Sequence, residues 1–195
     1  MAGSDHIRNA LLVIDIQDSF KVMPRWQHRN NPGFEANVLR LIDAFRAAGE
    51  PVIYFLHSDE DEHFKVDCPD YRLMDFLAPC ADEPILHKTS RNCFTSTNLL
   101  QHLLRLHVGR VTIAGIQTEQ CCETTARIAA DLGYEVDFVT SATLTFPIPK
   151  TLELGSESLP ADDVVERTEY ALRRRFARIC TVDDVCADLP TPANA

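Results

Sequence analysis

The sequence predicts an α/β fold: a mostly parallel six-stranded sheet between helices on both faces, a three-layer α/β/α sandwich. Three observations carry that expectation. Short β-branched runs alternate with amphipathic stretches along the chain. The runs are almost continuously apolar, as strands covered on both faces must be. Glycines follow the helical patterns at the C′ position, where a left-handed residue ends a helix.

The elements follow in order. "ALLVID" (10–15) reads as the first buried strand, and "FEANVLRLIDAFRAAG" (34–49) as a helix closed by Gly49. "PVIYFLH" (51–57) and "PILHK" (84–88) are the next two strands. "STNLLQHLLRLHVG" (96–109) reads as a helix ended by Gly109, leading into the strand "RVTIAG" (110–115). "TEQCCETTARIAADLG" (118–133) is a helix ended by Gly133, and "YEVDFVT" (134–140) the fifth strand. "ADDVVERTEYALRRRF" (161–176) is the last helix, and "ARICTV" (177–182) the sixth strand. With 195 residues and no repeat, low-complexity tract or linker, the chain reads as one domain, 1–195, with its core at about 8–186. "DLPTPANA" at the end reads as a frayed tail.

Composition narrows the function classes. At 45% hydrophobic and 25% charged, the chain is that of an ordinary globular protein. A net charge of −10 and a pI near 5.1 argue against nucleic acid or an anionic membrane surface as partner. No apolar stretch approaches the ~20 residues of a membrane span, and the start lacks the pattern of a secretory signal. A cytoplasmic protein acting on a small molecule is expected. The seven cysteines are odd in number and show no zinc-type spacing, so no metal and no cofactor are expected, and each thiol reads first as a small buried hydrophobe.

Two long irregular stretches, 21–33 and 58–83, start at the carboxyl ends of the first two strands, where open α/β sheets carry their ligand sites. Chemistry-bearing residues stand at the same end. Asp15 closes the first strand, and Lys88 the third. Each is costly there unless paired or used. Cys121 and Cys122 open the helix after the fourth strand. Helical phase puts Glu123, Arg127 and Asp131 on a polar face and turns both cysteines inward, so phase cannot choose between them. Cys121 sits in the expected first turn, where free N–H groups and the helix dipole favour a thiolate. Cys122 reads as a packing residue. An acid, a cation and a thiol converging on one cleft would form a nucleophilic-catalysis set.

These blocks, "LLVIDIQDSF", "HKTSRNCF" and "AGIQTEQCCETTARIAADLGYEV", occur in the order of a known pattern. From about Leu11 to Asp184 the chain resembles the isochorismatase-like cysteine hydrolases, a superfamily with a Rossmann-like fold that includes nicotinamidases and N-carbamoyl-amide hydrolases. The resemblance implies Cys121 as nucleophile, Asp15 as general base and Lys88 as the third member of a triad. It implies a cis peptide between Ile116 and Gln117, with the backbone N–H groups of Gln117 and Cys121 as the oxyanion hole. It also implies a homo-oligomer, dimer or tetramer.

Asn92 and Cys93 depart from the family's Ser-Ala before Phe94, and Ser141 replaces an acidic residue. His57, Asp59 and His63 do not reproduce the spacing of the metal-dependent nicotinamidases, and the segment reads as a solvated acidic loop. Phe20, Trp26, His57, Phe94 and Phe146 are the expected pocket walls. The function expected is cleavage of a small amide or related C–N bond through a thioester. The alternatives are a vinyl-ether hydrolase of isochorismatase type, against which the cysteine argues, and an inactive binding module of the same fold.

Overall fold

In a computed structural model, described for residues 7–151 and 157–190, the strands are β1 (Arg8–Ile14), β2 (Val52–His57), β3 (Ile85–Lys88), β4 (Val108–Ile116), β5 (Glu135–Leu144), the short pair β6 (Ile148–Pro149) and β7 (Ser158–Leu159), and β8 (Arg178–Cys180). The main sheet has the order β3-β2-β1-β4-β5-β8, and every pairing in it is parallel. Strand alternation sends Leu11 and Val13 to one face and Ala10, Leu12 and Ile14 to the other. The first set packs with helices α1 (Phe34–Ala47) and α5 (Val182–Asp188). The second packs with α2 (Leu99–Arg105), α3 (Glu123–Asp131) and α4 (Ala161–Leu172). That is the expected three-layer sandwich.

The order reverses between β1 and β4, so connections leave these neighbours in opposite directions and open a crevice at their carboxyl ends. Gly115 lets the two strands close up there. Its φ is +142°, and a Cβ on it would stand 2.1 Å from the Ile14 carbonyl oxygen.

Several local expectations are corrected. Gly109 does not end a helix: α2 stops at Arg105, His107 takes the left-handed conformation at φ +54°, and Gly109 already lies in β4. The 118–133 segment is not one helix but a wide turn, Thr118–Cys122, followed by α3. Glu123 is buried rather than on a solvated face, because α4 packs over it: Arg127, Arg167 and Thr168 all bond to its carboxylate. Two elements had no periodic signal and were not expected, the short helix α5 and a two-residue hairpin of β6 (Ile148–Pro149) and β7 (Ser158–Leu159). Most of the expected frayed tail, 191–195, lies outside the described residues.

Candidate active site

Asp15 follows β1 directly, and its backbone is forced to φ +52° as the chain turns off the sheet. The Gln17 side chain then sews this exit to the end of β2, accepting from the His57 N–H at 2.8 Å and donating to the His57 carbonyl at 3.1 Å. Farther on, 58–83 is tied beneath the β1 exit by backbone bonds from Asp18 to Arg72 and from Met74 to Ile16. Lys88 ends β3, two strands from β1, and its long side chain spans that distance inside the protein.

The three residues singled out in the sequence meet. Lys88 Nζ stands 2.7 Å from Asp15 Oδ2 and 3.4 Å from Cys121 Sγ. Asp15 and Lys88 are wholly buried, and Cys121 keeps 5% of its surface. The ammonium also donates to the Ser90 and Arg91 carbonyls and to His57 Nδ1. Lys88 pairs with Asp15 at close range, and the Cys121 thiol also acts on the carboxylate as a hydrogen-bonding neighbour.

Electrostatics set the protonation. Burial raises the Asp15 carboxyl above its ordinary range, with Lys88 opposing. Burial alone would favour a neutral Lys88, but the Asp15 carboxylate overcomes it and keeps the ammonium charged. Burial, and then the Asp15 charge, push the Cys121 thiol up, against Lys88. That direction suits a sulfur that gives up its proton to a neighbouring base as it reacts. Burial, Lys88 and Arg91 hold His57 down at about 4, so its imidazole is neutral and Nδ1 can accept from Lys88.

The cysteine pair is also separated. Cys122 is wholly buried between the sheet and its helices, while Cys121 Sγ faces Lys88. Cys93 is tucked behind, its N–H donating to Thr125 Oγ1, which in turn donates to the Cys121 carbonyl at 2.7 Å. The Ile116–Gln117 peptide bond just before the wide turn is cis. The turn is tied to β5 and its exit by Thr118 to Thr143 and by Thr145 to Glu119.

The expected pocket walls divide. Phe20, Trp26 and Phe146 form one aromatic cluster, extended through Phe64 to the His57 ring. Phe94 stands apart, 6.2 Å from Tyr134, which lies just before the amino end of β5. His57, at the end of β2 as expected, is a partner of Lys88. His63 does not join His57 and Asp59 but turns to Asp70, at 3.1 Å, with Cys68 beside them. These half-buried groups bond to one another, and Asp59 pairs with His57 and Arg91. Sequence reasoning missed Arg25 and Arg91, whose setting only the folded loops create. An open cleft near Tyr134, Phe176, Arg174 and Arg175 lies at the amino ends of β4, β5 and β8 and includes none of the three central residues.

The family model for the isochorismatase domain matches residues 9–182. The chain belongs to the isochorismatase family. Its isochorismatase fold is also that of a solved isochorismatase-family protein from Chromobacterium violaceum, with a TM-score of 0.84 and 26% identity, covering 97% of this chain and 96% of that one. In sequence it is 31% identical over 152 residues to Nicotinamidase 3 of Arabidopsis thaliana, covering 70% of this chain and 73% of that protein. It is 24% identical over 220 residues to the ureidoacrylate amidohydrolase RutB of Rhizobium rhizogenes, covering 94% and 84%. These relatives make it a hydrolase of the isochorismatase family. No helix among the described residues is long and apolar enough to cross a membrane.

Proposed function

We propose that this isochorismatase-family chain hydrolyses a small amide or related C–N bond through a thioester on Cys121. The observation that carries this reading is the enclosed contact of one ammonium with both a carboxylate, at 2.7 Å, and a thiol, at 3.4 Å. Burial makes Asp15 a stronger base than an exposed carboxylate, which suits it to take the Cys121 proton as sulfur attacks the substrate carbonyl. Lys88 stabilises the anionic charge as it passes from carboxylate to sulfur. The Gln117 and Cys121 N–H groups hold the tetrahedral oxyanion.

Collapse of that intermediate breaks the C–N bond, and the proton on Asp15 goes to the leaving nitrogen, releasing ammonia or an amine. Asp15 then takes a proton from water, whose oxygen attacks the thioester. The acid leaves, and the proton returns to sulfur. The names of the nicotinamidase and ureidoacrylate amidohydrolase relatives fit this class of reaction.

A hydrolysis screen of nicotinamide, N-carbamoyl amides, ureido compounds and isochorismate, scored for ammonia and acid release, tests the reading. One of the C–N substrates should turn over, and quenched enzyme should carry an acyl mass on the peptide containing Cys121. Cys121→Ala should abolish turnover. Wild-type turnover in that variant, or activity confined to isochorismate, would overturn the mechanism.

A further inference from the structure

The cleft at the amino ends of β4, β5 and β8 has a volume of about 700 Å³. Arg110 on its wall is separated from Ile116, beside the turn that carries Cys121, by roughly 20 Å of extended β4. Five arginines line the cleft, Arg110, Arg173, Arg174, Arg175 and Arg178, against two carboxylates, Glu135 and Asp137. A chain of net charge −10 thus gathers five of its 19 lysines and arginines around one opening.

Ordinary pairing accounts for three of the five. Arg110 pairs with Glu135, Arg178 with Asp137 at 2.8 Å and Asp188 at 2.6 Å, and Arg173 with Glu169 at 3.5 Å. Arg174 and Arg175 are exposed, and among the described residues neither side chain has a partner. Arg174 is also held at φ +66°, in a tight turn where the N–H groups of Arg175, Phe176 and Ala177 all return to the Leu172 carbonyl. Glycine takes that φ freely, whereas a side chain there is strained. The dipole of α4 favours a positive charge just past its end, but Arg173 already supplies one. Strain kept at a cation without a partner, beside a second such cation, marks a group held ready for a ligand.

The ligand is defined by what lines the cleft. Arginine forks take phosphate oxygens in pairs. Tyr134 and Phe176 add half-buried rings to the same wall, a surface on which a flat base can stack. The volume lies within the roughly 300–1,000 Å³ of small-molecule pockets. We propose that this cleft binds a nucleoside polyphosphate, with Arg174 and Arg175 on the phosphates and Tyr134 and Phe176 against the base. Binding here is independent of the chemistry at Cys121.

Isothermal titration calorimetry tests it, with ATP, GTP, inorganic tripolyphosphate and the two parent nucleosides as probes. Salt at about 0.15 M screens unspecific attraction. ATP or GTP should bind more tightly than tripolyphosphate and than its own nucleoside. Arg175→Gln should weaken that binding about tenfold, the scale of one lost charged contact. Arg174→Gly should weaken it as much while melting at least as high as the wild type, because glycine relieves the turn. Arg40→Gln, which removes the same charge on α1, should change nothing. Tripolyphosphate or a nucleoside binding as tightly as the nucleotide overturns the assignment. So does the absence of binding by every probe, or binding that is unchanged in Arg174→Gly and Arg175→Gln. A marked fall in the melting temperature of Arg174→Gly would make that arginine a prop for the turn and overturn it as well.

Discussion

Replacing Lys88 by Met keeps most of the buried stem and removes the one cation in contact with Asp15 among the described residues. In the wild type both groups are wholly buried, with Nζ 2.7 Å from Oδ2. Breaking one side of such a pair costs about 3–5 kcal/mol, because a charge is left enclosed and uncompensated. In the wild type His57 adds no charge to this pair near pH 7, because burial, Lys88 and Arg91 hold its pKa down at about 4.

The cost is pH-dependent, because Asp15 can discharge by binding a proton. Burial already raises its proton affinity, and without Lys88 it rises further. Native protein then holds a proton that the unfolded chain has released, so the variant loses stability as pH rises, by at most about 1.4 kcal/mol per unit. A deficit of about 4 kcal/mol must therefore develop over about three pH units. Urea unfolding followed by circular dichroism from pH 5 to 8 measures it. The deficit relative to wild type should be at least about 2 kcal/mol larger at pH 8 than at pH 5, and adding Asp15→Asn should remove that difference. A deficit equal at both ends, or under about 1 kcal/mol at pH 8, would refute the reasoning.

Asp15→Asn alone removes the negative charge that helps to hold the Cys121 thiol up, while Lys88 stays to favour the thiolate; alkylation of Cys121 by iodoacetamide near pH 7 should quicken even as hydrolysis is lost, and slower alkylation would contradict it. His57 has a native pKa of about 4 against an ordinary 6.5, so the unfolded chain binds its proton first. Wild type should lose stability as pH falls from 6.5 toward 4, and His57→Gln should lose less over that range in the same urea titration. Glu123→Ala leaves Arg127, Arg167 and Thr168 without their shared acceptor and should cost about 2 kcal/mol or more, read from the urea midpoint; a cost under about 0.5 kcal/mol would make the cluster a surface feature. Gly115→Ala drives a Cβ into the Ile14 carbonyl and should leave little soluble folded protein, with any remainder markedly less stable by thermal melting.

The layered sheet was legible because its signals are local. Apolar runs, helical periodicity and the glycines at 49 and 133 each act within a few residues, and both glycines do sit at positive φ. The signal was weakest where neighbours decide. Gly109 looked like a helix end but was drawn into β4, and α5 is too short for its pattern to stand out. Asp15, Lys88 and the cysteine pair could be found from their places at strand ends, since a charge there is expensive unless used.

Tertiary structure alone decided what these groups do to one another. Phase along the 118–133 segment left Cys121 and Cys122 equivalent; first-turn position and the family resemblance favoured Cys121, and in the structure it is the Cys121 sulfur that Lys88, arriving from β3, meets. A local rule favoured a thiolate at the helix start, whereas burial and a carboxylate from β1 push the Cys121 thiol up. Glu123 lost its place on the polar face to α4, whose contact lies 44 residues away in sequence at Arg167. Charge and desolvation depend on every atom nearby, whatever its distance along the chain, so the residues of the site were written in the sequence, but their protonation and partners arose only when the strands were laid side by side.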